Sequence, residues 1–205
     1  MKSNRKLALL GALIAVNVLA RLLGPGFGGV EPIFALLILQ GYVFGVSYGA
    51  ALGALSLLTS ALLTGGVGPW LPFQMLGAAT VASGAGLLPL LRKRSMQLAV
   101  VSLWGIVAAF IYGATVTLWQ WPLLAGSSTS LSFQPTGSFG ENFIRFVQYS
   151  IFSGGLLWDT GRAITTVVVV LAFGKTILAA LERAANRIGV LNQIRKSARS
   201  EVHQQ

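Results

Sequence analysis

Few residues in this 205-residue chain could do covalent chemistry. There is no Cys, so there is no thiolate nucleophile, no disulfide framework and no Cys metal ligand. The single His, His203, lies close to the C-terminus, so no imidazole is available within the apolar body. An intramembrane serine nucleophile needs a base, commonly a His. A metal hydrolase needs a cluster of His or carboxylate side chains, and the five Asp and Glu are scattered. No GxxxxGK[ST] stretch is present to cradle a nucleotide. The expectation is a chain that is not an enzyme, with no catalytic residues, no metal and no cofactor.

The remaining polar residues suit binding. Ionisable groups within apolar spans are costly and mark functional sites. Here they are Arg21, Glu31, Arg145, Asp159, Arg162 and Lys175. Asp159 and Arg162 stand three apart and can pair on one helix face. Arg21 and Glu31 flank one loop and could pair across it. Three segments offer aromatic walls with polar anchors, as a small-molecule site requires. The first is GVGPWLPFQ, with Trp70, Phe73 and Gln74. The second is Trp119-Gln120-Trp121, and the third runs from Asn142 and Arg145 to Trp158 and Asp159. Each Trp alone would serve as an interfacial anchor. Gln74 and Gln120 point to a pocket instead, because a bare aromatic belt does not need amides. The candidate substrate-binding set is therefore Trp70, Phe73, Gln74, Trp119, Gln120, Asn142, Arg145, Trp158 and Asp159.

The elements that must position these residues are membrane spans. The chain is 54% hydrophobic and only 10% charged, against about 25% charged in soluble domains. Its mean hydropathy is +0.73. The expected fold is all-α, a polytopic membrane protein with six transmembrane helices. The spans fall near 7–23, 30–46, 47–64, 71–91, 98–121 and 156–181, each close to the ~20 residues that cross the bilayer core. The boundary between the second and third, near Gly45 to Gly49, carries no charge to mark it.

The net charge is +10, and the basic residues are grouped. Lys2, Arg5 and Lys6 precede the first span, and Arg92, Lys93 and Arg94 form one loop. Arg183, Arg187, Arg195, Lys196 and Arg199 follow the last span. Six spans put all three groups on one side, which the positive-inside rule makes the cytoplasm. Both termini are then cytoplasmic, and Trp70, Trp119, Trp121 and Trp158 fall at outer span ends. This grouping excludes nucleic acid as a partner and favours membrane lipid. Residues 1–181 form the membrane domain and 182–205 a basic cytoplasmic tail, expected to continue as an amphipathic helix. The N-terminal run lacks a convincing cleavage site and reads as a retained first span. The Ser/Thr/Gly-rich stretch from Pro122 to Asn142 is long enough for a lid or binding loop. Residues 142–153 have helical apolar spacing, as a short interfacial helix or an early part of the sixth span. No internal repeat supports an inverted-repeat carrier.

Small residues recur on two spans: Ala8-x-x-x-Ala12 on the first, and Gly49-x-x-x-Gly53 with Ala50-x-x-x-Ala54 on the third. Such faces let helices approach closely, within a chain or between chains. Taken with six spans, the Ala8/Ala12 face, GGVGPWLPFQM (Gly65 to Met75), WDTGRA (Trp158 to Ala163) and the basic tail, the chain resembles the substrate-binding S component of energy-coupling factor (ECF) vitamin transporters. The GPWLPFQ and WDxGRA segments are similar to a branch linked with cobalamin-type or unassigned substrates. The resemblance implies high-affinity capture of a vitamin or related micronutrient at the outer face of a prokaryotic plasma membrane. It also implies docking through Ala8 and Ala12 onto a transmembrane T component, with two ATP-binding cassette ATPases supplying energy and the S component toppling to release substrate. Two other classes stay open on the residues alone: a structural cell-envelope scaffold and a self-sufficient small permease.

Overall fold

A computed structural model describes residues 2–24, 28–124, 130–187 and 189, which form seven α-helices and no strand. These are α1 (Lys2–Leu23), α2 (Ile33–Phe44), α3 (Val46–Thr64), α4 (Leu71–Ala85), α5 (Arg94–Leu124), α6 (Phe139–Phe152) and α7 (Gly155–Arg187). Three are long and apolar enough to cross a membrane: Val46–Thr64, Arg94–Trp121 and Gly155–Arg187. The protein is thus an all-α membrane protein. Helix α2 is apolar but only 12 residues long.

Helix α2 is buried on every face and sits at the centre of the bundle, touching α1, α3, α4, α5 and α7. A helix apolar all round must lie in a protein core or in lipid, and here its neighbours enclose it. Ile33, Leu37, Ile38 and Leu39 are almost wholly inaccessible there. Gly45 alone separates α2 from α3. Its φ of 83° lies in the left-handed region, where a side chain would be strained, so the chain breaks at the one residue that allows it. Helices α3 and α4 pack closely through the GxxxG pair. A Cβ on Gly53 would overlap the Ala78 carbonyl, and one on Gly49 would lie 2.7 Å from the Ala82 oxygen. That small-residue face is therefore internal packing, with Ala50 and Ala54 half-buried beside it.

Several boundaries differ from the sequence expectation. Helix α4 stops at Ala85 rather than Leu91. Gly86 lies against the α2–α3 junction, where a Cβ would sit 2.5 Å from the Val46 nitrogen. Pro89 then disfavours a helical conformation at the residue before it. Residues 139–152 form a separate helix, α6, cut from α7 by Gly154 at φ 81°. Helix α7 runs to Arg187, beyond the expected end at residue 181. The tail expectation for 190–205, including His203, lies outside the described residues, as do Pro25–Phe27 and residues 125–129 of the long loop.

The bundle has two distinct ends. At one, the Tyr48 hydroxyl donates to the Lys6 carbonyl, the Tyr42 hydroxyl donates to the Pro89 carbonyl, and Arg94 pairs with Glu182 at 2.7 Å. The start of α1, the α4–α5 turn and the end of α7 therefore meet there, and Lys6, Arg92, Lys93, Arg94, Arg183 and Arg187 share that end. The opposite end gathers the α1–α2, α3–α4 and α5–α6–α7 connections.

Candidate functional site

The loop end holds three arrangements built from the residues singled out above. The first is aromatic. Gly65 ends α3 in the left-handed conformation, and Pro72 starts α4 in its first turn, the position a proline tolerates best. Between them the Trp70 indole folds over Gly68, where a Cβ would clash with the ring, and its N–H donates to the Gly66 carbonyl at 3.2 Å. This places Trp70 and Phe73 around Trp119 of α5, with ring centroids 6.2 and 6.5 Å apart. The Trp119 N–H is buried and has no acceptor among the described residues. The half-buried side-chain amides of Gln74 and Gln120 make no hydrogen bond among the described residues. The structure thus brings Trp70, Phe73 and Trp119 together and leaves the Trp119 N–H without a partner among the described residues.

The second arrangement is the loop between α5 and α6. Asn142 is buried and its amide is fully engaged. It donates to the carbonyls of Gln134 at 2.8 Å and Gly137 at 3.3 Å, and accepts from the Gln134 N–H at 2.9 Å. Arg145 donates to the Ser130 carbonyl. Trp121 is buried, its N–H donates to the Leu131 carbonyl at 2.7 Å, and its ring packs edge-on to Phe133 and Phe146. Asn142 and Arg145 therefore hold the loop, and Trp121 is an internal anchor where a lipid-facing belt residue was expected. Helix α6 begins with a capping box: the Glu141 N–H donates to the Ser138 hydroxyl, and the Glu141 carboxylate accepts from the Ser138 N–H at 2.9 Å. The Ser138 N–H first, and then the Ser138 hydroxyl donating to the same carboxylate, lower the Glu141 carboxyl from its ordinary value. Phe139, Phe143, Ile144 and Ile151 of this helix remain exposed.

The third arrangement is a buried ionic cluster. Arg162 donates to Glu31 at 2.8 Å and to Asp159. Its guanidinium lies over the edge-on pair of Phe34 and Tyr112, whose centroids are 4.5 Å apart, at 5.0 Å from the first and 4.7 Å from the second. The planar, weakly hydrated guanidinium suits such a stack. Glycines allow the elements to converge: a Cβ on Gly113 would overlap both Asp159 carboxylate oxygens, and one on Gly161 would overlap the Gly28 carbonyl. The Asp159–Arg162 pair is present as expected. The Arg21–Glu31 pair is not: Glu31 goes to Arg162, and the Arg21 Nη1 is buried without a partner among the described residues. Arg162 belongs to α7, which presents it inward between the two carboxylates. Trp158 is exposed on the same helix.

Comparison with family models, curated proteins and solved structures returns no match.

A fourth feature lies midway along the helices. Asn17 of α1 donates to Gln40 of α2 at 2.8 Å and to Ser56 of α3 at 3.0 Å, and Gln40 donates back to Asn17 at 2.8 Å. All three are buried. The sequence signal for it is that Asn17 and Gln40 are lone amides inside apolar runs. Such residues join helices where no water can replace the bond. Among the described residues no group of three or more His, Cys, Asp or Glu gathers as a metal site would require.

Proposed function

We propose that this chain is the substrate-capture S component of an ECF-type transporter in a prokaryotic plasma membrane. In this reading six helices cross the membrane, the basic end and both termini face the cytoplasm, and the loop end faces outward. The aromatic group at Trp70, Phe73 and Trp119, with the unpaired amides of Gln74 and Gln120, receives a vitamin or related micronutrient, a cobalamin-type compound being one candidate. The loop held by Asn142 and Arg145 covers it. A T component and two ATP-binding cassette ATPases supply the energy.

The observation that carries the proposal is the division of α1 into two faces. Leu13, Asn17 and Val18 point into the bundle, while Ala8, Gly11, Ala12 and Ala15 are exposed. A Cβ on Gly11 would meet nothing within 4 Å. An outward strip of small residues on a helix already fixed on its other face supports close docking by another helix. The midway polar residues bond to one another, so they join helices and do not make the continuous polar path that a permease would need.

The test replaces Ala8 or Ala12 with Trp in the full-length chain. The added bulk would hold a partner helix away and remove many small dispersion contacts. The expected result is a folded monomer with normal ligand binding, lost co-purification of the T component and lost ATP-dependent uptake. Variants that still assemble and transport would overturn the assignment of this face.

A further inference from the structure

The basic end contains an open groove of about 310 Å³ that the capture reading does not use. Leu9 of α1 forms one wall, and Ala180, Arg183, Ala184 and Arg187 of α7 form the other. We propose that this groove binds the phosphate headgroup of an anionic phospholipid, with the start of an acyl chain along Leu9, Ala180 and Ala184.

Four observations carry the assignment. Arg183 and Arg187 stand one turn apart on the same helix face, about 5–6 Å between their Cβ atoms. Two guanidiniums at that spacing can share the oxygens of one phosphate through charge-assisted bonds. Neither makes an ion pair among the described residues, whereas nearby Arg94 is already taken by Glu182. They end a helix apolar enough to cross a membrane, so they lie at the depth of the headgroups, where basic pockets between helices bind anionic lipid. The walls below them are apolar, matching the chain that follows a headgroup. The rest of this chain is a poor occupant: residues 190–205 carry Arg195, Lys196 and Arg199 against Glu201 alone.

The experiment uses the full-length chain in neutral detergent, titrated with dioleoylphosphatidylglycerol or dioleoylphosphatidylcholine and read by native mass spectrometry. The wild type is expected to take up one phosphatidylglycerol in preference to phosphatidylcholine. The double variant Arg183→Gln/Arg187→Gln should weaken that first binding by roughly twentyfold to thirtyfold, at roughly fivefold per arginine, and leave phosphatidylcholine unaffected. Leu9→Trp keeps both arginines but fills the groove, and should weaken phosphatidylglycerol as well. Arg92→Gln/Lys93→Gln removes two charges from the same end outside the groove and should leave the first binding unchanged. An equal loss in that control would mean diffuse charge attraction and overturn the site. Unaltered binding in Leu9→Trp would do the same. Displacement by excess inorganic phosphate would make it a free-anion site. Wild-type lipid binding in the arginine double variant would show that the two guanidiniums do not hold the headgroup and overturn the site.

Discussion

Replacing Arg162 with Leu tests whether the ionic cluster holds the loop end together. The Arg162 side chain is 7% exposed, and those of its partners Asp159 and Glu31 are 9% and 22% exposed. Removal leaves two carboxylates near one another without a counter-charge. Breaking a buried pair by deleting one partner costs about 3–5 kcal/mol. Glu31 keeps some contact with water, which favours the lower part of that range. At roughly 2–4 °C per kcal/mol for a chain of this length, the midpoint in detergent should fall by about 6–20 °C. Arg162→Lys should recover part of the loss, since one ammonium keeps the charge but cannot reach both carboxylates while stacking on the ring pair. The variant with Leu at 31, 159 and 162 together should unfold much nearer the wild type, because no unpaired charge then remains. The assay is thermal unfolding followed by tryptophan fluorescence. An Arg162→Leu midpoint within a few degrees of wild type, or a triple variant worse than the single one, would refute the reasoning.

Gly113→Ala should destabilise by about 1–3 kcal/mol through overpacking against the Asp159 carboxylate, and adding Asp159→Ala should relieve much of the penalty, both read by the same melting assay. Asn17→Leu should cost about 1–2 kcal/mol by leaving Gln40 and Ser56 unpaired, with Asn17→Leu/Gln40→Leu/Ser56→Ala less affected than the single variant. Glu141 has its carboxyl pKa lowered from 4.5 by the capping bonds, so the capping box should protect α6 above about pH 4.5 and fail as pH falls through the lowered value. Hydrogen exchange at 139–152 should rise in that window in the wild type, and Glu141→Gln, which removes the titrating carboxyl, should remove the pH dependence.

Much of the helical layout was legible because apolar runs of membrane length have few other readings. What the sequence concealed were places where one residue's stereochemistry or one contact sets the boundary. Gly45 ends a helix through its positive φ, yet in sequence it is one of 25 glycines. Gly86 is set by the backbone of a different helix pair, which only the tertiary arrangement reveals. At the loop end, residue type pointed to Trp70, Phe73 and Trp119, whose rings meet, but could not say which polar side chains were already occupied. Asn142 and Arg145 bind backbone carbonyls of their own loop, Trp121 turns inward, and Glu31 pairs with a residue on α7 instead of Arg21. Each choice depends on a distant segment, so local spacing carries no record of it. Asp159 and Arg162 were readable as a pair because both partners lie on one helix, three residues apart.

The most direct test of the capture account is whether the full-length chain, purified from its native membranes, carries one vitamin-class molecule. Native mass spectrometry reads the bound mass and its stoichiometry. The account predicts one such molecule per wild-type chain. Gln74→Ala and Gln120→Ala should each weaken binding by about 1–3 kcal/mol, from roughly fivefold to more than a hundredfold, if the ligand's groups are left buried and unpaired. A wild-type chain that carries only lipid, or equal loading in wild type and both amide variants, would contradict it.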